Sequence, residues 1–125
     1  MAIGSIALFN LADRRLAWAG ARQLVLAQNV ANADTPGWKS RDVTAFAAQL
    51  AHPGTALART APGHLAPPPG HEANTTRAVS ERAPDGNAVS LDEQLARIAE
   101  TETAHEMTSE LYKKYLGFFR TALGR

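Results

Sequence analysis

The sequence predicts an all-α chain: two long terminal amphipathic helices forming a coiled-coil hairpin, joined by an irregular Pro/Gly-rich middle with at most a short β-hairpin. Three observations carry this. Apolar residues recur at heptad spacing near the N-terminus, they do so again near the C-terminus behind a helix-capping signal, and six of the seven prolines fall in the middle stretch from His52 to Ala88.

The first element occupies residues 1–35. From Ser5 to Ala33 there is no proline, and Phe9, Ala12, Leu16, Ala19, Leu26, Val30 and Ala33 follow one another at alternating steps of three and four, with Gln23 filling the gap. That is the a/d pattern of a helix that packs along one seam. Leu8, Trp18, Leu24 and Val25 widen the stripe. A helix of ~28 residues would be ~42 Å long, more than a small globule can cover.

Residues 36–51 form a turn and a packing segment, in which Val43 and Phe46 are placed to fold back on the first helix. Residues 52–89 hold Pro67-Pro68-Pro69 and glycines at 54, 63, 70 and 86, with neither helical nor strand periodicity, and read as an extended flexible loop.

The last element occupies residues 90–125. Ser90 followed by Glu93 is a capping box, and Asp92 and Glu93 suit the positive end of a helix dipole as Lys113, Lys114 and Arg120 suit the negative end. The seam reads Leu91, Leu95, Ile98, Glu102, His105, Ser109, Tyr112, Leu116, Phe119, Leu123, apolar at both ends and polar in its middle third. Phe9, Leu16, Leu26 and Val30 on one helix, and Leu91, Leu95, Ile98, Tyr112, Leu116 and Phe119 on the other, are the candidate assembly seam.

Composition narrows the function. The chain has 125 residues, and although 45% are hydrophobic, much of that share is alanine and only 6% are aromatic, so a core built from this chain alone would be thin. The net charge of +1 supplies no basic face for nucleic acid and no polybasic membrane signal. With no cysteine there is no disulfide or thiolate metal site, and His52, His64, His71 and His105 lack zinc spacing. No phosphate loop or nucleophile elbow is present, so neither a catalytic residue nor a cofactor site is expected. No cleaved signal or membrane-length apolar run is visible. Periodicity alone leaves open whether the hairpin is self-contained or assembles.

The most specific string follows the first helix: Asn29-Val30-Ala31-Asn32-Ala33-Asp34-Thr35-Pro36-Gly37-Trp38-Lys39. Physical chemistry accounts for part of it. Pro36 pushes the residue before it out of the helical region, Pro36-Gly37 suits the centre of a type II turn, and Asn32 either takes a left-handed helix stop or bonds the last free carbonyls. It does not require two asparagines and Thr-Pro-Gly-aromatic-Lys together. That combination, on Asn29, Asn32, Thr35, Pro36, Gly37 and Trp38, resembles the N-terminal signature of the flagellar axial proteins, the rod and hook family. The departure is Trp38, where the family pattern has Tyr; the packing role of a large amphipathic ring is expected to persist without the hydroxyl. The short length, Asp42 and Phe46 after the signature, Thr60-Ala61-Pro62-Gly63-His64, and Asp85-Gly86-Asn87-Ala88-Val89 ahead of the last helix resemble the small proximal-rod members, over roughly 110 residues as a rough span.

The resemblance implies a structural subunit of the bacterial flagellar basal-body rod, in the periplasmic space, with no cofactor. It implies export unfolded by the flagellar type III apparatus and polymerisation through paired terminal helices into a helical assembly. Its partners would be other rod subunits, with the membrane-ring protein reached directly or through the small ring-to-rod adaptor. Two other classes compete: a soluble helical adaptor or export chaperone, stably folded alone, and a needle-type helical hairpin, which has no reason to carry the signature.

Overall fold

The computed structural model describes residues 6–51, 75–77 and 89–124, the central three by backbone alone. The order is α1 (Ala7–Ala31), β1 (Arg41–Val43), α2 (Phe46–Ala51), β2 (Thr75–Arg77) and α3 (Leu91–Ala122). The chain is mostly helical with little strand. The proline-rich stretches 52–74 and 78–88, read from the sequence as loop, lie outside the described residues.

α1 has neither a side-chain cap at its start nor charges placed against its dipole, so its stability must come from packing. One stripe faces α3: Phe9 and Leu26 are fully buried, Ala12, Leu16 and Gln23 are half-buried between them, and Val30 is half-buried one turn beyond. A second side carries Trp18, Ala19 and Val25 and is covered by Val43 of β1 and by Phe46. Burying a side chain such as Leu26 is worth ~1.5–3 kcal/mol. The helix stops at Ala31, slightly before the Ala33 that the heptad suggests. Asn32 takes φ −104° and ψ 17°, not the left-handed stop, and its Nδ2 donates to the Gln28 carbonyl at 2.8 Å.

α3 begins as its sequence predicts. The Ser90 hydroxyl oxygen accepts from the Glu93 N–H at 3.4 Å, and Asp92 and Glu93 occupy the first turn. Phe9 meets Tyr112 and Phe119, Arg22 meets Glu100, Gln23 meets Ile98, and Asn29 meets Gln94. Rising numbers on α1 thus meet falling numbers on α3, so the two helices run antiparallel.

β1 and β2 form a two-stranded antiparallel sheet, with Arg41 opposite Arg77, Asp42 opposite Thr76 and Val43 opposite Thr75. β1 lies in the segment read as turn and packing, and β2 in the segment read as loop. The pairing therefore links the two, with the short helix α2 between them. α2 has no counterpart in the heptad reading.

Candidate functional site

The signature residues are brought together at the C-terminal end of α1. The Trp38 N–H donates to the Thr35 carbonyl at 3.2 Å, closing a four-residue turn over Pro36 and Gly37. Gly37 has φ +74°, the left-handed value that the third residue of a type II turn requires. Nothing lies within 4 Å of where a Cβ would stand on Gly37, so backbone geometry and not space calls for glycine there. Ahead of the turn, the Thr35 hydroxyl donates to Asn32 Oδ1 at 3.2 Å and the Thr35 N–H to the Asn32 carbonyl at 3.0 Å.

Asn29 is the hub of this region, fully buried beside Ser40 and Gln94. Its Oδ1 accepts the Arg41 N–H at 3.0 Å while its Nδ2 donates to the Arg41 carbonyl at 2.6 Å. One amide side chain thus satisfies both backbone groups of a β1 residue, as a neighbouring strand would. Nδ2 also donates to Gln94 Oε1 on α3 at 2.9 Å, and the Trp38 indole N–H reaches Asn29 Oδ1 at 3.4 Å. Asn29 therefore joins α1, the outgoing turn, β1 and α3. Such a network specifies one arrangement because leaving any buried member unpaired costs ~1–3 kcal/mol.

A second clasp lies one face away. Arg22 grips Asp42 with two parallel bonds, Nε to Oδ1 and NH2 to Oδ2, each 3.0 Å. Arg97 of α3 approaches the same carboxylate at 3.4 Å and also pairs with Glu93, while Arg22 reaches Glu100 at 3.3 Å. The hydrogen bonds it donates to Asp42 hold the Arg22 guanidinium above its ordinary pKa against the opposing effect of burial. Next to it, the Trp18 indole N–H donates to the Thr44 carbonyl at 2.8 Å, and Arg15 stacks over both Trp18 and Phe46. Trp18, Arg22, Asp42, Gln94 and Arg97 bind these elements together, yet they fall outside any apolar repeat. A lone Arg or Gln gives no sequence signal for a contact with a residue twenty or more positions away.

The seam residues divide. Phe9 and Leu26 are buried, and Leu16, Val30, Ile98, Tyr112, Leu116 and Phe119 are half-buried. Leu91 and Leu95, members of the same candidate assembly seam, do not face α1 and are 49% and 56% exposed. The row that faces α1 there is Gln94, Thr101 and Thr108, the first two of them fully buried. The reason is polar: α3 is turned so that Gln94 meets Asn29 and Arg97 meets Asp42, and Thr101 and Thr108 satisfy themselves by donating to the carbonyls of Arg97 and Ala104, each at 2.7 Å. The leucines are left on the outside, with Met107, Leu111, Tyr115 and Phe118.

Among the described residues no cluster of three or more His, Cys, Asp or Glu is placed to hold a metal, and no helix is long and apolar enough to cross a membrane. No family model matches the chain. It is similar to curated proteins named flagellar basal body rod protein FlgB. The match to the one from Agrobacterium fabrum is 32% identical over 122 residues, covering 88% of this chain and 87% of the relative. For that from Proteus mirabilis the identity is 31%, with 78% and 80% covered. For that from Escherichia coli it is 34%, with 70% and 71% covered.

Proposed function

The chain belongs to the family of the flagellar basal body rod protein FlgB, and from that premise we propose that it is a subunit of the proximal rod, exported unfolded and built in through its paired terminal helices. It is a structural protein of the flagellar basal body rod and not an enzyme. The finer reading rests on one observation: α3 turns a polar row toward α1 and holds its leucines outward. Exposed apolar residues along a helix are costly for a lone chain and useful for one that packs against others. α1 and α3 act as a coiled-coil pair in this reading, with the signature turn setting the direction in which residues 38–46 leave it. Its partners are other rod subunits and the ring-to-rod adaptor, and before assembly the type III export apparatus.

The test uses a strain lacking the gene and complemented with variants. Leu95→Asp is expected to be secreted normally and to leave cells non-motile, without rods in isolated basal bodies. Wild-type swimming by Leu95→Asp and Leu91→Asp together would overturn assembly through the exposed face of α3.

A further inference from the structure

The outward apolar residues of α3 do not lie on one side. Taking the inward Gln94 as zero and turning ~100° per residue, Leu91 and Leu95 fall ~60° and ~100° to one side, and Leu111 and Phe118 ~100° and ~120° to the other. Leu91 and Leu95 belong to the first two turns of α3, Leu111 and Phe118 to its last third. The molecule therefore carries two different apolar patches, on opposite flanks and at opposite ends of the antiparallel helix pair.

Their shapes differ as well. On the α3 C-terminal side the surface is concave: Leu8, Leu11 and Arg15 of α1, Phe46, and Leu111 and Tyr115 of α3 surround a groove of about 340 Å³. On the other side, Leu91 and Leu95 stand one turn apart as a convex ridge, the i, i+4 pair by which a helix enters an apolar groove. Charge follows the same division. Arg15 in the groove wall stacks on aromatic rings at 4.7 and 4.9 Å and has no carboxylate partner among the described residues. Asp92, exposed on the same flank ~60° further round the helix than Leu95, has no cation partner among the described residues.

We infer that the occupant of the groove is a second copy of this chain, whose Leu91 and Leu95 seat between Leu8, Leu11, Leu111 and Tyr115 while its Asp92 reaches Arg15. This names the interface of the polymerisation proposed above and rests on that reading. Joining two unlike patches leaves one ridge and one groove free at the ends of every row, so the contact propagates instead of closing on a twofold axis.

The chain has no cysteine, so paired substitutions report the contact directly. The full-length Leu11→Cys/Leu95→Cys protein, purified and concentrated, is expected to give a ladder of dimers, trimers and longer species on mild oxidation, with each single variant stopping at dimer or below. Adding Asp92→Arg should abolish the ladder, and Arg15→Glu on top of it should restore it. Asp92 is exposed but stands in the first turn of α3, where its charge suits the helix dipole, so circular dichroism of each variant separates loss of the contact from loss of folding. A ladder indifferent to Asp92→Arg, or monomer alone both in the purified protein and in isolated rods containing it, would overturn the interface. Rods that incorporate the double-cysteine protein without cross-links would refute this contact and leave the rod-subunit reading standing. Absence of the protein from rods would refute that reading, and the purified protein would still decide the contact.

Discussion

α1 and α3 are both long, both read as heptads, and use their apolar residues in opposite ways. α1 buries Phe9, Trp18, Ala19, Val25 and Leu26, whereas the buried residues of α3 are Gln94 and Thr101. The cause is position. α1 has neighbours on two sides, α3 on one and β1 with Phe46 on another, so its seam and the side carrying Trp18, Ala19 and Val25 are covered, while Leu8, Leu11 and Leu24 stay open. α3 has α1 on one side, and its orientation there is decided by polar partners on the opposite helix and on β1. A heptad of apolar residues thus marks the contact face of a helix in the middle of a fold. On a helix at its edge the pattern splits: Tyr112 and Phe119 meet Phe9, while Leu91 and Leu95 are left for something else.

The sharpest way to break this contrast is to put the same charge on each side of it. Leu26→Asp buries a carboxylate without a partner and should cost ~3–5 kcal/mol, enough to lose most of the helix signal of the isolated chain by circular dichroism. Leu95→Asp, on the exposed face, should shift the urea midpoint of the isolated chain by the equivalent of at most ~0.5 kcal/mol. Equal effects of the two would remove the distinction between the helices.

Next in size is the hub. Asn29→Ala deprives both backbone groups of Arg41 and the buried Gln94 of their partner, for an expected ~2–4 kcal/mol in denaturant unfolding, with loss of amide-exchange protection at Arg41. Gly37→Val must place a β-branched residue at φ +74°; about 1–2 kcal/mol of backbone strain should follow, and Gly37→Asn should recover part of it. Asp42→Asn weakens the clasp between β1, Arg22 and Arg97. Because both arginines remain partly solvated, about 1 kcal/mol is expected, diminishing in high salt. Acidity is a poor lever on the arginine side. Its raised pKa means that the stabilising charge is fully present below the ordinary arginine value and is lost only as pH rises beyond it. The smallest effect belongs to Gln94→Leu. Gln94 Nε2 is buried without a partner among the described residues, so its removal offsets the lost bond to Asn29 and stability should change by no more than ~1 kcal/mol. The signature of that variant is loss of register: disulfide trapping between Gln23→Cys and Ile98→Cys should become less selective over neighbouring pairs.

How much of this was legible in the sequence follows from the same contrast. The stripe of α1, the Ser90 cap and the turn at Pro36-Gly37 were readable because each is local: a spacing, a side chain three residues from its partner, a dihedral only glycine accepts easily. Asn32 was readable as a residue that bonds a last helical carbonyl, whereas Asn29 stood out as part of a string without a mechanism. The mechanism lies in Arg41 and Gln94, and a polar contact across sixty-five positions leaves no periodic trace. Trp18 sits outside the seam, yet is buried because β1 and Phe46 come back over it. Leu91 and Leu95 were placed in the assembly seam with the other heptad residues; that they stand outside the helix pair follows from the rotation of α3, which obeys Gln94 and Arg97 and leaves no periodic trace.

The two tryptophans give this molecule a pair of optical probes. Trp18, with its indole N–H bonded to Thr44 and two guanidinium groups over its ring, lies under the β1 flap. Trp38 is half open to solvent on the turn, with Arg41 over its face. Their emission should differ in wavelength and in access to iodide or acrylamide. A chain emerging from a narrow channel and folding in place would change the first signal when the flap closes and the second when a neighbour covers the turn. Substituting one Trp at a time with Phe would let each event be timed by fluorescence in the unlabelled protein.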